Sequence, residues 1–312
     1  MVNRFIIITV MWSSLVLGNL PTDPIFWFGS AQSSAIGQAA TAQTNAPHSI
    51  FFNPAALNTN QYSSLSTSYS ELYNTNISNV NAVSRFKNMS FGVGIHSTQS
   101  PNIDQSKFDE TEQKVIITGN YNYSYSALFI STAMKLPYTS LGHIGTSFHI
   151  HRMTIANQTL QGQSINAGVL LQPLSMVSIG FVHHHIVPLN LTWKSNNIMS
   201  SYALSNQHKL ESYSRAGIEL TALSLPMLTW KLLADYEINQ NQSSDDTNES
   251  PLKVGSIVAI SPIELAVGYN ARFISMGVST TLGQLQLNYS FITPNNKATF
   301  QDRHAVGISI FF

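Results

Sequence analysis

The sequence predicts an all-β protein: a transmembrane antiparallel β-barrel of about fourteen strands, with a short N-terminal plug inside its lumen. Three observations predict it. Only 10 % of the 312 residues are charged, against roughly 25 % in an average soluble domain, and Ser, Thr, Asn and Gln stand in their place. Beyond residue 60, stretch after stretch alternates apolar and polar residues with a period of two. No window after the N-terminal segment offers eighteen uninterrupted apolar residues, so insertion into a membrane would fall to strands.

Residues 1–31 read as a signal peptide. MVNRFIIITVMWSSLVLGNL has one basic residue, Arg4, then an apolar run from Phe5 to about Leu17. That run suits a signal-peptide core and is too short for a spanning helix. Small residues permit cleavage after Gly18, with Val16, or after Ala31, with Gly29, and both sites stay open.

Residues 32–60 are the expected plug or hatch. SAIGQAATAQTNAPHSIFFNPAALN, residues 34–58, shows no strand pattern. Its small residues permit close packing against a wall, and Phe51 and Phe52 supply apolar anchors. Pro54 fixes its own φ and disfavours helix at Asn53, so Asn53-Pro54, leading into Ala55, marks a definite corner.

Residues 61–312 carry the barrel. Strands are expected over 61–72, 80–88, 89–98, 114–123, 125–136, 140–154, 164–173, 175–187, 208–220, 227–239, 251–260, 263–271, 273–282, 284–293 and 303–312. An even barrel cannot take fifteen, and the surplus is expected at 114–136, as one strand and a loop. In the closing strand Val306, Ile308, Ile310 and Phe312 share one face, with Ala305, Gly307 and Ser309 on the other. Leu285, Leu287, Tyr289 and Phe291 repeat this pattern against Gln284, Gln286, Asn288 and Ser290. Short turns join several strands, and longer polar loops are expected at about 98–112, 188–208 and 239–250.

A soluble β-sandwich also alternates apolar and polar residues. Its wet face, however, would carry many charges, whereas here that face is mostly Gly, Ser, Thr, Asn and Gln. Aromatics near strand ends (Tyr269, Tyr289, Phe291) add an interfacial girdle. The membrane barrel is therefore the better reading.

The closing residues Ile308, Ile310 and Phe312 resemble the aromatic-ended signal by which bacterial outer-membrane barrels are handed to their assembly machinery. Gly37-Gln38-Ala39-Ala40-Thr41-Ala42 and Phe52-Asn53-Pro54-Ala55-Ala56-Leu57, ahead of such a barrel, resemble the FadL/PorV group of outer-membrane proteins. The hairpin series from Leu252 to Phe312 resembles that group's closing strands, and the middle of the chain matches by pattern alone. The resemblance implies a 14-stranded barrel with an inserted hatch in the bacterial outer membrane, its partners being outer-membrane lipid and the assembly machinery. FadL-type members pass hydrophobic compounds, such as fatty acids, by diffusion through the hatch and sideways through a wall opening. PorV-type members are shorter-looped and serve protein secretion. This chain's modest loops and short hatch depart from FadL towards the shorter relatives.

Other chemistries find little footing. Zero net charge without a dense basic run excludes an electrostatic footprint for nucleic acid. Absence of cysteine excludes disulfides, thiol catalysis and Cys-based metal sites. His183-His184-His185, and His143, His149 and His151 on one strand face, invite a metal, but no carboxylate or Cys joins them locally. A strand end near the interface is the simpler account. No G-x-S-x-G elbow occurs, so no enzyme and no cofactor is expected. Glu219, Asp235 and Glu264 with Arg215 and Lys231 read as lumenal charges that brace a plug. Two function classes remain: a passive conduit for hydrophobic small molecules, with Phe51, Phe52, Asn53, Pro54 and Ala55 as a movable hatch, or a non-transporting scaffold for secreted proteins. A general hydrophilic pore ranks third, for want of charge rings.

Overall fold

The computed structural model describes residues 29–72, 74–109, 114–137, 141–156, 158–186, 189–194, 207–210, 212–239, 251–295 and 302–312. The expected signal segment lies outside these residues up to Phe28. Sixteen strands form one antiparallel sheet. They are β1 (Ser64–Leu72), β2 (Thr75–Phe86), β3 (Met89–Asp109), β4 (Lys114–Lys135), β5 (Gly142–Ile155), β6 (Gln158–Leu174), β7 (Val177–His184) and β8 (Leu189–Lys194). The second half holds β9 (Gln207–Leu210), β10 (Tyr213–Ser224), β11 (Leu228–Asn239), β12 (Leu252–Ile260), β13 (Ile263–Asn270), β14 (Phe273–Leu282), β15 (Leu285–Pro294) and β16 (Arg303–Phe311). Pairing of β1 with β16 and of β5 with β6 closes the sheet on itself. β8 and β9 pair with each other, and β8 with the first turn of β6, above β7 and β10. They add no circumference, so fourteen strands go round the wall.

Burial runs inside out. In β16 the apolar residues Val306 and Ile308 are 51 % and 44 % exposed, while Ala305 and Ser309 are 2 % and 5 % exposed. The same exchange holds in β1, where Ser64, Ser66, Ser68 and Ser70 are buried while Leu65 and Tyr69 face out. An apolar band turned outwards all round a closed sheet is what lipid requires, because it leaves no sheet edge and no unsatisfied backbone. The fold is a transmembrane antiparallel barrel.

Three sequence expectations need correction. Segments 114–123 and 125–136 are one strand, Lys114–Lys135, because the ladder to β3 runs on past Asn122. The expected loop at 98–112 is mostly strand, since Gln99–Asp109 pairs with Lys114–Ser124. The expected loop at 188–208 contains β8 and β9. In each case polar residues that read as loop are strand extended beyond the apolar band, where water faces both sides and alternation no longer marks the strand. The expected loop at 239–250 lies outside the described residues from 240 onwards.

Candidate functional site

The lumen is filled by the chain's own residues 29–60. Ala31–Ala35 forms a single helical turn whose N-cap, Ser30, accepts a hydrogen bond from Ser33 N through its Oγ (3.1 Å). Two 3-10 turns follow, Pro47–Phe51 and Pro54–Thr59, each opened by proline, whose missing N–H costs nothing there. This segment contributes no strand, and among the described residues no backbone–backbone hydrogen bond joins it to the wall.

Small wall residues bring it close. Gly145 faces Gly168, Gly180 faces Gly217, and Gly255 faces Gly268 across neighbouring strands. A Cβ at Gly168 would overlap Asn53 Oδ1, and one at Gly268 would overlap the backbone nitrogen of Gly37. One at Gly145 would lie 2.5 Å from Ala55 N. The glycine belt and the Ala- and Gly-rich interior segment thus fit backbone to backbone.

The residues expected to form a hatch lie inside this contact. Phe51 meets Phe129 of β4 edge to face, centroids 5.0 Å apart, and Phe52 lies 5.9 Å from the His48 ring. Asn53 Oδ1 accepts from Ala55 N (3.0 Å), while Nδ2 donates to the carbonyls of Thr41 (2.8 Å) and Val169 (3.3 Å). One amide therefore caps the turn that Pro54 opens, ties the segment's two halves together and reaches the wall. An aspartate could not make the two donations.

Wall side chains fasten the remainder. Asp235 Oδ2 accepts from Thr41 N (2.9 Å) and Thr41 Oγ1 (2.7 Å). Glu219 takes Thr44 with both oxygens, Oε1 accepting from Oγ1 at 2.5 Å and Oε2 from N at 3.3 Å. Lys231 Nζ stands 3.1 Å from Glu219 Oε1. Arg215 and Lys253 share Glu237 Oε2, at 2.8 and 3.1 Å. Asn270, Ser275 and Asn81 donate to the carbonyls of Gly37, Ala35 and Pro47. Sequence reading singled out Glu219, Asp235, Arg215 and Lys231. It missed Glu237 and Lys253, although Glu237 sits two residues from Asp235 on the same strand face. Glu264 is only half-buried and joins none of these pairs.

A belt of rings lies beside the charges. His149 packs on Phe129 (4.3 Å), His151 bonds the Tyr125 hydroxyl (2.8 Å), and His184 stacks on Tyr213 (4.6 Å). His184, at the end of β7, and His185 are each 1 % exposed. Successive strand residues point to opposite faces, so two adjacent inward histidines need a break. His185 supplies it with a φ of 54°. Pairing of β7 with β6 ends at His183–Ala167, and β8 pairs with β6 from Thr192–Gln161, a register displaced from the first. Among the described residues no three His, Cys, Asp or Glu are arranged to hold a metal ion.

These features define a class, a transmembrane barrel closed by a segment of its own chain. Known structures of that shape exist. The chain is similar to the Ralstonia pickettii toluene transporter TbuX (12 % identity, 91 % of this chain and 98 % of that one, TM-score 0.61). It is similar to the CymD monoaromatic hydrocarbon channel (12 %, 91 % and 97 %, 0.63) and to the Pseudomonas putida toluene transporter TodX (9 %, 90 % and 97 %, 0.62). At such identities the likeness is one of fold. No protein-family profile and no characterised protein sequence matches the chain.

Proposed function

We propose that this barrel is a passive conduit for hydrophobic small molecules across a bacterial outer membrane, with residues 32–60 as its hatch and Phe51, Phe52, Asn53, Pro54 and Ala55 as the moving corner. The observation that carries it is the mode of attachment. The inner segment is held by side-chain contacts and lies outside the ladder of the wall, so it can shift while the barrel stays closed. The break in pairing after His184, which lies opposite Tyr213 at the start of β10, offers a place for sideways exit. The toluene and monoaromatic-hydrocarbon proteins of the same shape support the substrate class. On this reading the outward apolar band meets outer-membrane lipid, and Ile308, Ile310 and Phe312 present the closing strand to the assembly machinery.

Native mass spectrometry of protein gently extracted from its own membrane tests the proposal. Bound hydrophobic mass that disappears when Phe51 and Phe52 are replaced by Ala supports the conduit. A bare barrel in both forms overturns it. The tight fit of the inner segment on the glycine belt favours a second reading, a sealed scaffold for secreted proteins, for which a co-extracted protein is the expected mass.

A further inference from the structure

A vestibule of about 590 Å³ lies beneath the plug, at the end of the barrel where β1 begins and β16 finishes. Its lining comes from the plug, the turn between β14 and β15, and the start and end of the wall. Five amides face it: Asn45, Asn60, Gln61, Gln284 and Gln286. Tyr62, Phe311 and Phe312 supply aromatic surface, and no lining side chain is charged. Two of the amides are buried with a polar atom unsatisfied. Asn60, 5 % exposed, has no acceptor for Nδ2 among the described residues, and Gln286, 6 % exposed, has no donor for Oε1. Buried amide groups without partners are uncommon in folded proteins and call for an explanation. Both residues line the vestibule.

We infer that this vestibule is a binding site for a neutral saccharide, a ligand class distinct from the conduit's substrate. No lining side chain offers a counter-charge to a carboxylate or an ammonium. A plain hydrocarbon would cover the rings and leave the amides idle. A polyhydroxylated ring satisfies both surfaces: each hydroxyl donates and accepts, matching an unsatisfied donor at Asn60 and acceptor at Gln286. Its C–H face lies on Tyr62, Phe311 or Phe312. The volume falls within the range of small-molecule sites, roughly 300–1,000 Å³, and takes a disaccharide. Above it a narrow gap of about 20 Å³, room for one water, is lined by Ser66, Ser68, Asn288 and Ser309. The sugar therefore stops beneath the plug.

A sugar at this mouth has two sources, a free neutral oligosaccharide or the end of a neutral polysaccharide chain. Isothermal titration of the full barrel in lipid nanodiscs free of sugar detergents, with cellobiose as probe, tests the chemistry. A pull-down on insoluble cellulose separates the sources. Saturable cellobiose binding, weakened at least tenfold in both Gln286→Leu and Tyr62→Ala, is the expected result. Tyr62 is 60 % exposed, so that variant keeps the test valid if Gln286→Leu misfolds. Cellulose binding without cellobiose binding, lost in the same variants, supports the polymeric source. Absence of both bindings, or binding indifferent to both substitutions, overturns the inference. Either outcome leaves the Phe51 and Phe52 experiment on the conduit untouched.

Discussion

Thr41 gives both of its donors to one oxygen of Asp235, the backbone N–H at 2.9 Å and the hydroxyl at 2.7 Å. The residues lie 194 positions apart in the chain, and the contact joins plug to wall at a site sealed from water. Hydrogen bonds to an ionised acceptor contribute about 1.5–3 kcal/mol each, and a buried donor left without a partner costs about 1–3 kcal/mol. Asp235→Ala is therefore expected to loosen residues 32–60 while the barrel still assembles. Limited proteolysis in nanodiscs should cut that segment several-fold faster, and bilayer recordings should show more frequent openings. Thr41→Val should give a smaller effect, and Thr41→Ser should behave as the parent.

Gly168 tests the glycine belt. A methyl group there would overlap Asn53 Oδ1, so Gly168→Ala must displace the amide from Ala55, Thr41 and Val169 together. Overpacking of this kind costs about 1–3 kcal/mol. Gly119→Ala is the control, since its nearest neighbour would be Gln105 Oε1 at 3.8 Å. Heat-dependent gel mobility should shift to lower temperature for the first variant and stay put for the second.

The wall was the legible part of the sequence. Alternation such as Val306, Ile308, Ile310 against Ala305, Gly307, Ser309 is imposed by lipid on one face and the plug on the other, so it survives in one strand read alone. Above the lipid that contrast vanishes, which is why Gln99–Asp109 read as loop and Lys114–Lys135 as two strands. The corner at Asn53-Pro54 was legible from local backbone constraints. Its contact with Val169 was not, because it depends on the strand register that brings β6 beside the plug. Asp235 and Glu219 stood out as charges in a chain with few of them, yet their partners Thr41 and Thr44 are two ordinary threonines of a polar stretch. The inward turn of His185 was invisible for a related reason: a register slip belongs to a pair of strands, and a sequence shows one strand at a time.

Ile308 tests the outward band. It lies between Thr67 of β1 and Leu287 of β15, facing away from the lumen. An arginine near the middle of the hydrocarbon layer costs a barrel about 2–4 kcal/mol. Ile308→Arg should lower the unfolding free energy from urea titrations in lipid vesicles by that amount, and Ile308→Leu should leave it nearly unchanged. Equal stability of the two variants would contradict a lipid-facing position.

His48 gives the plug a pH dependence with a definite sign. The ring is 3 % exposed, with Nε2 2.9 Å from Gln43 Oε1. Burial alone lowers its pKa to about 4 from an ordinary 6.5. Above pH 6.5 both the packed and the released plug hold it neutral, so it adds no pH dependence there. Below pH 6.5 the released segment binds a proton that the packed one refuses. Packing then weakens by about 1.4 kcal/mol per pH unit until pH 4, a total of about 3 kcal/mol. Protease accessibility of residues 32–60 should rise as pH falls across that window. His48→Gln, which cannot titrate, should flatten the part of the slope that His48 contributes, while carboxylates common to both proteins cancel in the comparison. An unchanged slope would mean that His48 takes its proton without leaving its place beside Phe52.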